Sequence, residues 1–182
     1  MKKSIHTYST FLESKSGKLY KYGCVMVYLD IPNWKSITSN ISEEDLYKPE
    51  ERVYGKETDP HITLLYGLHK EVEDLDIIES FKGYKSTDVD ISVNGIDIFK
   101  NDDFEVVKMN VKSEFLTNMN KKLSTLPHTS DFPDYKPHIT ICYVNKGCGD
   151  KYIQNDYKYT FNDINKIVYS KPNGKKIEIS LN

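Results

Sequence analysis

The sequence predicts an α+β fold of mostly antiparallel strands, arranged as two related lobes. Two observations carry this reading. Apolar patterning along the 182 residues runs strands, helix, strands, helix, strands, an order that does not alternate strand with helix as a parallel sheet would. In addition, one short element is written twice. Pro60-His61-Ile62-Thr63-Leu64-Leu65-Tyr66 recurs 77 residues later as Pro137-His138-Ile139-Thr140-Ile141-Cys142-Tyr143, with five of seven positions identical. A repeated element of this kind marks repeated structure.

Taken in order, residues 1–21 are polar and aperiodic and read as an N-terminal arm. Residues 22–182 contain no linker and read as a single domain. Gly23 to Ile31 is an apolar, β-branched run closed by Pro32, hence a strand. Residues 32–58 are polar, and Ser42-Glu43-Glu44-Asp45 has the form of a capping box opening a short helix. At 27 residues this connection is too long for a passive loop and reads as a lid or rim. Pro60 to Gly67 is a second strand. Val72, Leu75, Ile78 and Phe81 then recur at i, i+3 and predict an amphipathic helix.

Val89 to Lys100 alternates with period two, and the alternation slips at Asn94-Gly95, which predicts either a hairpin turn or a bulge. Phe104 to Val111 is a strand. Ser113 is an N-cap for a second helix carrying Leu116, Met119, Leu123 and Leu126. After a loop from Pro127 to Pro137, strands are expected at His138 to Val144, Tyr159 to Tyr169 and Lys175 to Leu181.

Composition narrows the function. The chain has 25 basic and 27 acidic side chains and a formal net charge of −2, which argues against the broad basic face that duplex DNA requires. Alanine is absent and Arg52 is the single arginine, so an anion must be gripped by Lys, His, hydroxyls and backbone N–H groups, not by guanidinium forks. The three cysteines, Cys24, Cys142 and Cys148, fit neither a disulfide framework nor a thiolate zinc site. The N-terminus opens with two lysines, Lys2 and Lys3, without a following apolar stretch, unlike a signal peptide. No run approaches the length of a membrane span. The expectation is a soluble, cytoplasmic protein.

The chemistry sits in the repeat. Side chains alternate along a strand, so His61 shares a face with Thr63, and His138 with Thr140. Each copy offers an imidazole and a hydroxyl ~7 Å apart. If a pseudo-twofold relates the lobes, the four groups converge on one cleft. Two imidazoles suit acid–base chemistry near neutral pH. One removes a proton from an attacking hydroxyl, the other protonates the leaving oxygen, and the threonines donate to non-bridging phosphoryl oxygens. This layout needs no metal and no cofactor. His69 and His128 are the only nearby extra histidines, and no HExxH motif occurs. By the same alternation Tyr66 and Tyr143 are expected to face away from the histidines.

The paired His-x-Thr strands, the helix after each lobe's opening strands and the spacing between the motifs resemble the 2H (two-histidine) phosphoesterase superfamily. It includes LigT-like RNA ligases, cyclic phosphodiesterases and phage enzymes that destroy cyclic nucleotide immune signals. The resemblance spans residues 22–181. It implies a bilobal fold with two antiparallel sheets forming a concave cleft and helices packed outside. It implies a phosphodiesterase acting on a small nucleotide or short RNA, with cyclic oligonucleotides, 2′,3′-cyclic phosphates and 2′,5′-linked oligoadenylates as the candidate substrates. It implies that His61, Thr63, His138 and Thr140 are catalytic, and it favours a bend over a hairpin at Asn94-Gly95. The near-absence of arginine departs from members that use arginine around the phosphate; Lys136, just before the second motif, is the candidate replacement. Tyr28 and Trp34, beside the first strand, are the candidate platforms for a nucleobase.

Overall fold

The computed structural model describes residues 20–49, 55–130, 132, 134–164 and 166–181. Among these residues the chain forms β1 (Gly23–Tyr28), α1 (Trp34–Ser39), β2 (His61–Leu68), α2 (Asp74–Ser80), β3 (Ile91–Lys100), β4 (Phe104–Lys112), α3 (Glu114–Leu123), β5 (His138–Asn145), β6 (Gln154–Phe161), β7 (Lys166–Ser170) and β8 (Lys176–Ile179). The arm expected over 1–21 lies outside the described residues except for Tyr20 and Lys21.

All eight strands join one sheet in the order β6-β3-β4-β5-β2-β1-β7-β8. Every pairing is antiparallel. The two expected sheets are thus two four-stranded halves of one sheet. They meet where β5 lies beside β2, through a single register pair, Ile62 with Ile139. The sheet cannot be flat. Residues 162–165 link β6 to β7 and reach at most ~18 Å, whereas six strand spacings in a plane are ~29 Å.

Beyond the Ile62–Ile139 pair, each motif strand is completed by the loop that leads into the other motif. Glu57 N donates to Ile141 O at 2.8 Å, and Leu46 and Lys56 bridge to Val144 and Cys142. Reciprocally, Thr129 N donates to Gly67 O and His69 N to Pro127 O, both at 3.0 Å. Gly67 has φ +101°, and the Thr129 carbonyl occupies the place a Cβ would need, so only glycine fits there.

The three helices cover one face of the sheet and bury its core. α3 contributes Phe115, Leu116, Met119 and Leu123 to the same core as Ile62, Met109 and Ile139. It starts as expected: the Ser113 Oγ accepts from Leu116 N at 3.0 Å, while Asp90 accepts from Glu114 N and Phe115 N. These bonds satisfy donors that a helix start leaves open.

Several sequence expectations are corrected. The run from Tyr159 to Tyr169 is two strands, β6 and β7, on opposite halves of the sheet. At Asn94-Gly95, by contrast, one of the two expected readings holds: it is a bulge inside a continuous β3, with register shifts against both neighbours and φ +84° at Gly95. Ser42 to Asp45 forms a turn, and the helix of this segment is α1. Tertiary contacts decide the matter: the Asp45 carboxylate binds Lys151 and the Tyr152 hydroxyl, and the Asp45 carbonyl accepts from Asn145 N at 2.7 Å. The 32–58 connection, expected as a lid or rim, is built into the sheet through Leu46, Lys56 and Glu57; its residues 50–54 lie outside the described residues. On α2 the buried positions are Ile77 and Ser80, flanked by Val72 and Phe81, while Leu75 is 71% exposed. The i, i+3 reading chose the wrong phase because α2 is only seven residues long.

Candidate active site

The two motif strands share a defect that reshapes the site. Met26 pairs with Thr63 but Val25 pairs with Leu65, so Leu64 is bulged out of register. Likewise Lys108 pairs with Thr140 but Val107 with Cys142, so Ile141 is bulged. These are equivalent positions in the repeat. Each bulge directs a carbonyl to a donor outside the ladder: Leu64 O accepts from Asn120 Nδ2 of α3 at 2.7 Å, and Ile141 O accepts from Glu57 N. A bulge adds one residue and inverts the alternation beyond it. Tyr66 and Tyr143 therefore fall on the histidine face, contrary to simple alternation. Tyr143 packs against Phe104 at 5.8 Å between centroids, and Tyr66 against Tyr22 at 6.0 Å.

Antiparallel register about Ile62 and Ile139 sets His61 across from Thr140 and Thr63 across from His138. Both isoleucines are fully buried in the core, so all four polar side chains lie on the opposite face, which carries no helix among the described residues. Facing neighbours across such a pair are ~5 Å apart and diagonal neighbours ~7–8 Å. The two imidazoles are the diagonal pair, with a hydroxyl at each remaining corner.

The imidazoles are also oriented alike. His61 Nδ1 lies 2.9 Å from Asp59 O, and His138 Nδ1 lies 2.8 Å from Lys136 O. A carbonyl only accepts, so Nδ1 carries the proton and Nε2 is the reactive nitrogen in both. Burial pushes both imidazoles below the ordinary 6.5. For His61 the Asp59 carbonyl bond and charge oppose the fall, while the Lys176 charge adds to it. For His138 the Lys136 carbonyl bond opposes burial, but the Lys108 and His61 charges reinforce it, and the group falls to about 4.

The flanks of the motifs differ. Beside His61, Tyr28 is its register partner on β1 and stands 5.5 Å from it ring to ring. Lys166 pairs with Tyr28 from β7 and holds its ammonium 5.2 Å from the Tyr28 ring centre. These residues border a pocket of about 240 Å³ lined by Tyr28, Asp30, Asp59, Lys166, Val168 and Lys176, among others. Beside His138, Asn110 is the register partner on β4. Lys108, nearly fully buried, binds Asp97 at 3.2 Å and Asn110, and lies 4.5 Å from the Phe99 ring. Phe99 in turn meets His138 edge-on at 4.9 Å.

Of the residues singled out in sequence, His61, Thr63, His138, Thr140 and Tyr28 come together. Trp34 does not: it is buried in the core at the start of α1, and its indole N–H donates to Glu57 O at 2.9 Å. Lys136 contributes its carbonyl, while its side chain is solvent-exposed. The cations that do face the motifs, Lys108, Lys166 and Lys176, were missed. Lys108 carried a signal, since it is a lysine between the apolar neighbours Val106, Val107 and Met109 of β4.

Comparison with known proteins agrees with this architecture. Residues 56–167, more than half of the chain, match the family model described as Anti-CBASS protein Acb1. No curated protein matches in sequence. Among solved structures, Usb1 of Kluyveromyces marxianus superposes with a TM-score of 0.58 at 10% identity, over 89% of this chain and 99% of that one. The protein TT0787 of Thermus thermophilus gives 0.55 at 14% identity, over 87% and 95%. Usb1 of K. marxianus with uridine monophosphate gives 0.51 at 10% identity, over 88% and 98%. At these identities the likeness to the solved structures is one of fold.

Proposed function

The chain belongs to the anti-CBASS Acb1 family, within the 2H phosphoesterase superfamily, and on that premise we propose that it is a metal-independent phosphodiesterase that hydrolyses cyclic oligonucleotide immune signals. The observation that carries the catalytic part of this reading is the seam itself. One antiparallel pair, Ile62 with Ile139, puts two imidazoles and two hydroxyls on one face of the sheet at neighbouring positions of adjacent strands, an arrangement that supports two-histidine catalysis at one phosphoryl group. The likeness to a Usb1 structure with uridine monophosphate supports a nucleotide as occupant.

In this mechanism His138 is the general base. Its Nε2 is neutral at working pH because burial and the Lys108 charge disfavour its protonation. It takes the proton of the attacking hydroxyl as the new P–O bond forms. His61, which lies nearer the Asp59 charge, is the general acid, and its Nε2–H protonates the leaving oxygen as the old P–O bond breaks. Thr63 and Thr140 donate to the non-bridging oxygens, where negative charge builds. No three His, Cys, Asp or Glu side chains cluster to hold a metal among the described residues, and two imidazoles supply both proton transfers without one.

Chromatography of products from cyclic dinucleotides, cyclic trinucleotides and 2′,3′-cyclic mononucleotides, incubated with the protein in EDTA, tests the reading. Cleavage of a cyclic oligonucleotide that disappears in His138→Ala is expected. Tight binding without products would make the protein a nucleotide sponge, and joining of RNA ends would make it a ligase. Either outcome replaces the hydrolase reading.

A further inference from the structure

The catalytic quartet is nearly symmetric, but the ground beside it is not. Next to His138 the face is closed: Phe99, Asn110 and the locked Lys108–Asp97 pair fill it. Phe104, Val106 and Tyr143 form a packed apolar cluster beyond, with Phe99 against it. Next to His61 the face is open. The pocket of about 240 Å³ begins at Tyr28 and Pro60 and runs under Lys166 and Lys176. Lys166 and Val168 stand in register with Tyr28 and Met26, which stand in register with His61 and Thr63. All six side chains therefore point to one side of the sheet. Lys166 is two strand spacings from His61, ~10 Å, and its flexible stem can reach back over Tyr28.

We propose that this pocket is a second-nucleotide subsite, in which Lys166 and Lys176 hold the phosphodiester next to the one being cut. The inference rests on the phosphodiesterase reading and gives the substrate a direction across the seam. With the scissile phosphate between the histidines, the rest of the substrate lies over the His61 lobe, because the His138 lobe leaves it no room. The chemistry of the lining fits a diester unit. Two ammonium groups meet the phosphate, while Asp30 and Asp59 bring the pocket's formal charge to zero. A doubly charged terminal phosphate suits such a lining poorly. A singly charged diester, whose attached base offers N–H donors to the carboxylates, suits it well. Lys166 now rests over the Tyr28 ring, so moving its ammonium onto the phosphate would clear that ring for the base. The enzyme is then selective for substrates of two or more nucleotides.

The test compares one cyclic dinucleotide with one 2′,3′-cyclic mononucleotide, using wild type, the Lys166→Met/Lys176→Met double variant and the matching Arg double variant. For the dinucleotide, the Met pair is expected to raise KM by ~10- to 100-fold with kcat little changed, the pattern of a lost ground-state contact. The Arg pair should restore most of the loss. For the mononucleotide, which has no second phosphate, all three proteins should agree within about twofold. Equal loss on both substrates, no loss on either, or cleavage of the mononucleotide alone by wild type overturns the subsite. Calorimetry with the same dinucleotide separates the subsite from the reading beneath it. Wild type that binds the dinucleotide without cleaving it, with binding lost in the Met pair, fails the hydrolase reading and upholds the subsite. Binding that the Met pair leaves unchanged, or no binding by wild type, overturns it.

Discussion

On β2, His61 looks across to Tyr28 and Lys166 around an open pocket of about 240 Å³. On β5, His138 looks across to Asn110, and Lys108, Asp97 and Phe99 close the space around it. The motifs are matched down to the bulge, at Leu64 in one and Ile141 in the other. The register neighbours of the two threonines are not matched: Thr63 faces Met26, whereas Thr140 faces Lys108. The difference teaches that the repeat and its flanks do separate jobs. Repeating one strand about a central pair supplies two equivalent proton carriers. Unequal neighbours then decide which carrier starts neutral and on which side a substrate has room.

The largest effect that probes this comparison is loss of either imidazole. His61→Ala and His138→Ala should each lower kcat by ~10² to 10⁴, the range for a general acid or base. The double variant should lose less than the product of the singles, since the pair acts as a unit. Steady-state kinetics on folded variants checks this, and full activity in either single variant would break the two-lobed centre.

Next in size are the hydroxyls. Thr63→Val and Thr140→Val should each cost ~10² in kcat, the lower end for loss of one donor to a charged phosphoryl oxygen. Their pH limbs should stay in place, because neither group titrates. A shift of either limb in these variants would assign the threonines to tuning a histidine, not to binding the phosphoryl group.

Smaller still is a stability difference between the lobes. His138 carries a folded value of about 4 against an ordinary 6.5, so the unfolded chain binds more protons between these values. Stability is therefore fully present above pH 6.5 and falls as pH drops toward about 4. The window lies above that of the carboxylates lowered by hydrogen bonds and ion pairs, such as Asp45, Asp90 and Asp97, which start from 3.8. Thermal unfolding across pH should show this fall in wild type and a shallower one in His138→Ala. An unchanged slope would remove the burial asserted for His138.

The smallest effect lies at the bulges. Leu64 O is held by a side chain, Asn120, whereas Ile141 O is held by a backbone N–H. Asn120→Ala should cost ~1 kcal/mol, the scale of one net hydrogen bond, and lower the unfolding midpoint accordingly. Since the bulge aims the His61 strand alone, any loss of activity should be in kcat. A variant as stable as wild type would mean that the first bulge needs no side-chain support.

Much of this was legible in the sequence because it rests on period-two alternation and on repetition. The strands, the Ser113 cap and the four motif residues follow from local pattern, and the pairing of the motifs follows from their being written twice. What escaped was set by contacts distant along the chain. The bulges at Leu64 and Ile141 leave no mark in the hydrophobic pattern, and they reversed the expectation for Tyr66 and Tyr143. Trp34 resembled an exposed platform until Glu57 supplied its indole with an acceptor. Lys166 and Lys176 sit on β7 and β8, about 100 residues beyond the first motif, and reach it only because β7 pairs with β1. In α2 the helix was found but its phase was not, for a helix of two turns is positioned by its neighbours more than by its own periodicity.

The central claim is that two histidines act as an unequal acid–base pair, with burial, reinforced by the Lys108 charge, keeping His138 neutral. The pH dependence of kcat/KM on a cyclic dinucleotide, in EDTA, tests it most directly, because that ratio reports the free enzyme's essential groups. The account predicts a bell centred on the acidic side of neutrality, between the His138 value of about 4 and a His61 value below 6.5. In Lys108→Met the acidic limb should move to higher pH, because the neighbouring positive charge is gone. A profile that climbs steadily to pH ~10, where lysine titrates, would contradict the account and take both histidines out of the roles assigned to them.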